Sequence, residues 1–170
     1  MWVKTPAELG LKPEDHFYPW LVRSGPLSAA LKQLCQNLSV QVISQQLETA
    51  TPEEQQALNI QETNSLIRQV YLCGDNVPWI HARLVVPHTT YQSYKPELDN
   101  LGDKLLGEAF LYSKSGIQRS PFEFSITPEG LFSRRSIFEI NIQQLMLRET
   151  FIFLNAILNK LWPHNNPLPL

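Results

Sequence analysis

Between Ser65 and Pro87 the chain alternates between two sets of positions in two runs, one on each side of Cys73-Gly74-Asp75-Asn76. A period of two predicts strands, and a Gly-Asp-Asn connection predicts a tight antiparallel turn. In the first run Leu66, Arg68, Val70 and Leu72 share a face opposite Ile67, Gln69 and Tyr71. In the second, Ile80, Ala82, Leu84 and Val86 lie opposite Trp79, His81, Arg83 and Val85. The same alternation predicts strands over Leu38 to Leu47, Phe122 to Ile126, Arg135 to Ile142 and Leu145 to Phe153. Thr127-Pro128-Glu129-Gly130 reads as a turn, and Gln143-Gln144 as the last connection between strands. Leu27, Ala30, Leu31 and Leu34 recur at helical spacing, which predicts an amphipathic helix over Pro26 to Asn37.

Shorter helical signals fall after Thr51-Pro52, around Pro96 to Leu101, over Leu105 to Tyr112 and over Leu154 to Trp162. Residues 1–17 are polar and punctuated by proline, and are expected to lie across the surface. About six strands with mostly antiparallel neighbours and a few helices predict an α+β fold, one sheet backed by helices in a single domain over residues 1–170.

Two charges interrupt the apolar rows. Arg68 stands among Leu66, Val70 and Leu72, and Glu149 stands among Leu145, Leu147, Phe151 and Phe153. A guanidinium does not shed its charge on burial, so Arg68 requires compensation. One reading joins the two as a buried salt bridge. The other makes them the polar ends of a small cavity, with Arg68 gripping a carboxylate and Glu149 serving as hydrogen-bond partner or proton carrier. Backbone N–H groups where a loop enters a helix are further anion donors, and both Gly25-Pro26-Leu27-Ser28 and Leu105-Leu106-Gly107 are so placed.

Composition narrows the classes. With 170 residues and 43% hydrophobic content the chain supports one sizeable core. A net charge of -2, with Arg134-Arg135 as the one basic doublet, gives no field for nucleic acid. That doublet follows a turn and is expected to be solvated, and His81 and Arg83 are expected at the surface or in a second layer. Cys35 and Cys73, like His16, His88 and His164, match no metal-ligand spacing, so no metal is expected. The start lacks an apolar leader and no run approaches a membrane span, which predicts a cytoplasmic protein. There is no nucleophile elbow, phosphate-binding glycine loop or dinucleotide fingerprint.

The runs IRQVYLCGDNVPWIHARLVVP, LGDKLLGEAF, GLFSRRSIFEI and LMLRETFIF, in that order, resemble the chorismate lyase family, from about Leu21 to Phe153. The hairpin is the most specific part. The resemblance implies a cofactor-free enzyme that removes pyruvate from chorismate to leave 4-hydroxybenzoate for prenylquinone synthesis (ubiquinone or plastoquinone). It implies an antiparallel sheet with helices and, as expectations, a monomer whose pocket arginine is Arg68 and pocket glutamate Glu149. It places two backbone contacts to ligand at Leu27 and Leu106. Ser133 stands where relatives can have Gly, and residues 154–170 extend beyond the resemblance. A related fold serves as the effector-binding part of transcription regulators, so a small-aromatic-acid sensor is the alternative function; no helix-turn-helix precedes the hairpin to favour it.

Overall fold

The computed structural model describes residues 1–61 and 64–152. The strands are β1 (Leu38–Glu48), β2 (Ser65–Gly74), β3 (Val77–Val86), β4 (Gln118–Arg119), β5 (Glu123–Ile126), β6 (Phe132–Ile140) and β7 (Gln143–Phe151). The helices are α1 (Tyr18–Val22), α2 (Leu27–Lys32), α3 (Pro52–Leu58), α4 (His88–Ser93) and α5 (Lys95–Asp99), with a 3-10 turn at Pro6–Leu9 and a π-helix at Gly107–Leu111. All pairings are antiparallel, in the order β1-β2-β3-β7-β6-β4, with β5 also paired to β6. The α+β class and the single antiparallel sheet therefore hold, with seven strands in place of about six. The extra one, β4, is two residues long, too short to leave an alternation pattern. The expected terminal helix over Leu154 to Trp162, and Phe153, lie outside the described residues. Among the described residues no helix is long and apolar enough to cross a membrane.

The turns show where local chemistry wins. Asp75 (φ 48) and Asn76 (φ 68) both take the left-handed region, the backbone hand that matches strand twist in a two-residue hairpin. Asp75 also reaches back, accepting from the amides of Asn37 (2.8 Å) and Gln36 (3.3 Å). α2 itself ends at Lys32, short of the expected Asn37. The β6–β7 turn sits on Asn141 (φ 48) and Ile142 (φ 64), not on Gln143-Gln144, which open β7. Isoleucine rarely accepts positive φ, so sequence pattern pointed one pair too late. α3 carries its own start signal. Thr51 Oγ1 accepts from the Glu54 amide (3.3 Å), the Glu54 carboxylate accepts from the Thr51 amide (3.0 Å), and Asn59 closes the helix at φ 51.

One face of the sheet carries two apolar clusters. Trp20, Leu21, Leu27, Leu31, Val70, Leu72, Ile80 and Phe151 belong to the first. Leu66, Leu84, Tyr91, Leu98, Phe110, Phe138 and Leu145 belong to the second. Each fully buried leucine of these sets contributes on the order of 1.5–3 kcal/mol. On the opposite face α3 covers Ile67, Val85 and Met146.

Candidate functional site

A cavity opens where the two clusters part, lined by Leu27, Val70 and Leu72 from one and by Leu84, Leu111 and Phe138 from the other. It holds about 80 Å³ of space open to water centres, several times the roughly 10–15 Å³ that one ordered water needs. Its floor consists of two cross-strand rows. Arg68, Leu84, Leu147 and Ser136 are register partners on β2, β3, β7 and β6; Val70, Ala82, Glu149 and Arg134 form the next row along the same strands. Loops and short helices complete the walls. Leu27 opens α2 after Pro26, and Leu106 immediately precedes the π-helix; both line the cavity. All four residues singled out by the sequence (Leu27, Arg68, Leu106 and Glu149) therefore meet in one cavity.

Arg68 and Glu149 do not pair with each other. They stand two strands and one same-face step apart, which puts their Cα atoms on the order of 12 Å from each other. Glu149, 9% exposed, is instead held by Arg134, whose Nε donates to Glu149 Oε2 at 2.6 Å. Arg134 is 1% exposed, which corrects the expectation of a solvated doublet; Arg135 is buried too and bonds Glu123 and Glu53. The Arg134 Nη1 donates to the carbonyls of Trp20 (3.2 Å), Leu21 (3.1 Å) and Arg23 (2.9 Å). These are the last carbonyls of α1, which a helix leaves without internal partners. The alternation of Arg135 to Ile142 concealed this role, because the expected strand began one residue after Arg134.

Arg68 is 4% exposed yet has no carboxylate within 4 Å among the described residues. It donates to Gln45 Oε1 (2.6 Å) and to the Gly102 carbonyl (2.7 Å), both neutral. Burial draws its guanidinium below the ordinary value, and the charge of Asp103 opposes that. Gln45 reaches Arg68 because β1 bulges between Val42 and Ser44, which turns Gln45 onto the face that strict alternation denies it. Among the described residues Arg68 thus keeps its charge with no carboxylate paired to it, Asp103 acting only from a distance, at the wall of a cavity that admits several waters.

Two more cations line the same cavity, Lys104 and Arg119. The lining carries four cations (Arg68, Lys104, Arg119, Arg134) against one carboxylate, Glu149. A site so charged suits an anion. Sequence reasoning missed Arg119, which lies on β4 in a stretch read as loop.

On the opposite face Arg83 is also buried. Its Nε and Nη2 donate to Glu54 Oε1 (2.7 Å) and Oε2 (2.9 Å), so the carboxylate that caps α3 also ties that helix to β3. Arg83 is the second-layer residue of the two alternatives. His81 packs against Tyr71 in a tilted arrangement, with ring centroids 5.6 Å apart. Burial, then the charges of Arg148 and Arg83, draw its imidazole below the usual value. Cys35 and Cys73 are free thiols.

A family model described as chorismate lyase matches residues 4–162, past the point where the sequence resemblance stops. Curated relatives include a "Probable chorismate pyruvate-lyase" of Vibrio parahaemolyticus, 32% identical over 83% of this chain and 84% of that protein. Another, from Marinobacter nauticus, is 35% identical over 87% and 84%. Among solved structures, the C-terminal domain of a histidine utilization repressor from Pseudomonas syringae is similar with a TM-score of 0.53 at 13% identity, over 68% of this chain and 91% of that one. The effector domain of PhnF from Mycobacterium smegmatis gives 0.51 at 12% identity, over 73% and 85%. These structural likenesses concern the fold.

Proposed function

The chain belongs to the chorismate lyase family, and from that premise we propose that it converts chorismate to 4-hydroxybenzoate and pyruvate, supplying the aromatic head group of a prenylquinone. The observation that carries this is the convergence of Arg68, Glu149, Leu27 and Leu106 on one cation-rich cavity.

Chorismate bears a ring carboxylate, an enolpyruvyl ether at the 3-position and a hydroxyl at the 4-position. In our assignment Arg68 and the Leu27 amide bind the ring carboxylate. Glu149 and the Leu106 amide bind the hydroxyl at the other end. Cleavage sends the ether carbon–oxygen electron pair to oxygen. The ring proton beside the hydroxyl leaves, and its electrons complete the aromatic ring. The departing enolpyruvate takes a proton at carbon and becomes pyruvate. Aromatisation drives the reaction, so the protein's work is to hold a reactive conformer away from water. Arg134 acts through Glu149 as a positioning residue: it fixes Oε2 and leaves Oε1 as the atom we assign to the ligand.

The test is incubation of the protein with chorismate, with both products followed by chromatography, alongside Arg68→Ala and Glu149→Ala. Equimolar products, lost in either folded variant, are expected. Binding of 4-hydroxybenzoate with no turnover would replace the lyase with a sensor or carrier.

A further inference from the structure

Arg119 belongs to the cavity, and its charge is not used by any assignment above. It sits on β4, opposite Phe138 of β6. One of its five N–H donors is spent on the Ser24 carbonyl, through Nη2 at 2.6 Å. Its guanidinium lies 4.3 Å from the centroid of the Phe122 ring, and the Arg134 guanidinium lies 4.3 Å from the same centroid. Arg119 and the Arg134–Glu149 pair thus share contact with one aromatic ring. No carboxylate forms an ion pair with Arg119 among the described residues; burial and then Arg134 draw its guanidinium down, against the smaller opposing pulls of Tyr112 and Glu149. The one carboxylate lining the cavity, Glu149, is paired with Arg134, so Arg119 has no ion-pair partner there among the described residues.

Position along the cavity decides what would match it. Arg68 and Glu149 lie on different rows and two strands apart, so a ligand spanning them has a fixed direction. With the ring carboxylate on Arg68 and the 4-hydroxyl on Glu149, the 3-substituent emerges on the flank of the Glu149 end. Across the sheet that is the side of Arg119, in the order β2-β3-β7-β6-β4, with its partner Phe138 one same-face step past the Arg68 row. Arg119, Tyr112, Leu111 and Phe138 also line an open cleft on the outer side, so the flank leads toward solvent.

We propose that Arg119 binds the second carboxylate of the substrate, that of the enolpyruvyl group, and so distinguishes the dianionic substrate from its monoanionic aromatic product. This rests on the lyase reading for the identity of the substrate. Planar guanidinium and carboxylate groups match as two parallel hydrogen bonds, which a lysine does not reproduce.

The test compares two ligands that do not react, so it stands apart from turnover. One is 4-hydroxybenzoate. The other is 3-(carboxymethoxy)-4-hydroxybenzoate, which adds a carboxylate on an ether oxygen at the 3-position. Affinities are measured by calorimetry for wild type, Arg119→Gln, Arg119→Lys and Arg68→Gln, with thermal midpoints as a check on folding. For Arg119→Gln the dianion should lose affinity about ten- to a hundredfold, the range for a lost charge-assisted pair. Its 4-hydroxybenzoate affinity should stay within a factor of about two, and Arg119→Lys should recover part of the loss. Arg68→Gln should weaken both ligands alike. Where chorismate turns over, KM should rise in Arg119→Gln with kcat less affected. Equal losses for both ligands in Arg119→Gln, or none, would overturn the proposal. Failure of wild type to bind either ligand would remove the pocket assignment and this inference together. Selective loss in a protein that does not turn over chorismate would sink the lyase reading alone.

Discussion

Arg68 and Arg134 are both buried arginines on the same face of the same sheet, yet the structure gives them opposite consequences for stability. Consider replacing each by methionine, which keeps most of the side-chain volume. Arg134→Met removes the partner of Glu149 and the donor to three helix-end carbonyls. A buried carboxylate and three acceptors are then stranded, and breaking a buried pair from one side costs about 3–5 kcal/mol. Arg68→Met removes an ion whose bonds go to neutral Gln45 and Gly102. Its desolvation cost disappears with it, and the two acceptors border a cavity that admits water, so the net change stays within about 1 kcal/mol. Urea unfolding followed by far-ultraviolet circular dichroism measures both, provided the slope is unchanged between variants. For a domain of this size the Arg134 loss corresponds to a fall in Tm of about 6–20 °C. The double variant Arg134→Met/Glu149→Leu should regain part of that loss, because the stranded carboxylate goes too. If Arg68→Met costs as much as Arg134→Met, Arg68 is a structural residue and the division drawn between them is wrong.

Acid should weaken the opposite face in two stages. His81 titrates below 6.5, and Glu54, pushed up by burial but pulled down further by Arg83 and the Thr51 amide, titrates below 4.5. Both groups hold fewer protons folded than unfolded, so the stability they contribute is full above each ordinary value and is lost as pH falls from there through the lower value each has in the folded chain. Melting curves from pH 7 to 4 should show Tm falling. His81→Gln should flatten the upper limb and Glu54→Gln the lower; a profile indifferent to both would contradict the assignment. Ala82 lies between Val70 and Glu149 in the cavity floor. Ala82→Leu should fill that space, cutting 4-hydroxybenzoate affinity by at least about tenfold while Tm holds or rises. Unchanged affinity would place the ligand elsewhere.

Much of this architecture was legible because β2, β3 and β7 are long and each faces an apolar cluster on one side. There alternation is a direct image of burial, and a charge out of pattern, as at Arg68 and Glu149, marks a polar site. The pairing of those charges was not legible. It depends on which strands lie two apart, and on Arg134, one residue ahead of the expected strand. Gln45 was hidden for a different reason: a bulge reverses the parity of β1 midway, and period-two reasoning has no way to see an inserted residue. Arg119 stands on a two-residue strand, where there is no period to read. Ile142 misled through its own preference, since tertiary pairing holds a β-branched residue at φ 64 that it does not choose locally.

Between the cavity and the outer cleft stands Tyr112, half exposed and lining both. Its amide bonds the Gly107 carbonyl at 2.7 Å, and its ring lies where a side chain on Gly107 would have to be, 2.8 Å from a Cβ placed there. Tyr112 follows the five-residue π-helix directly, and with Leu111, Arg119 and Phe138 it forms the wall shared by the cavity and the outer cleft. A ligand taking this way out would need that short segment to open locally, which costs less than unfolding the sheet beneath. On the assignments proposed above, the fragment cleaved on the Arg119 side would lie nearest the opening and depart first, leaving the aromatic half to be shed last.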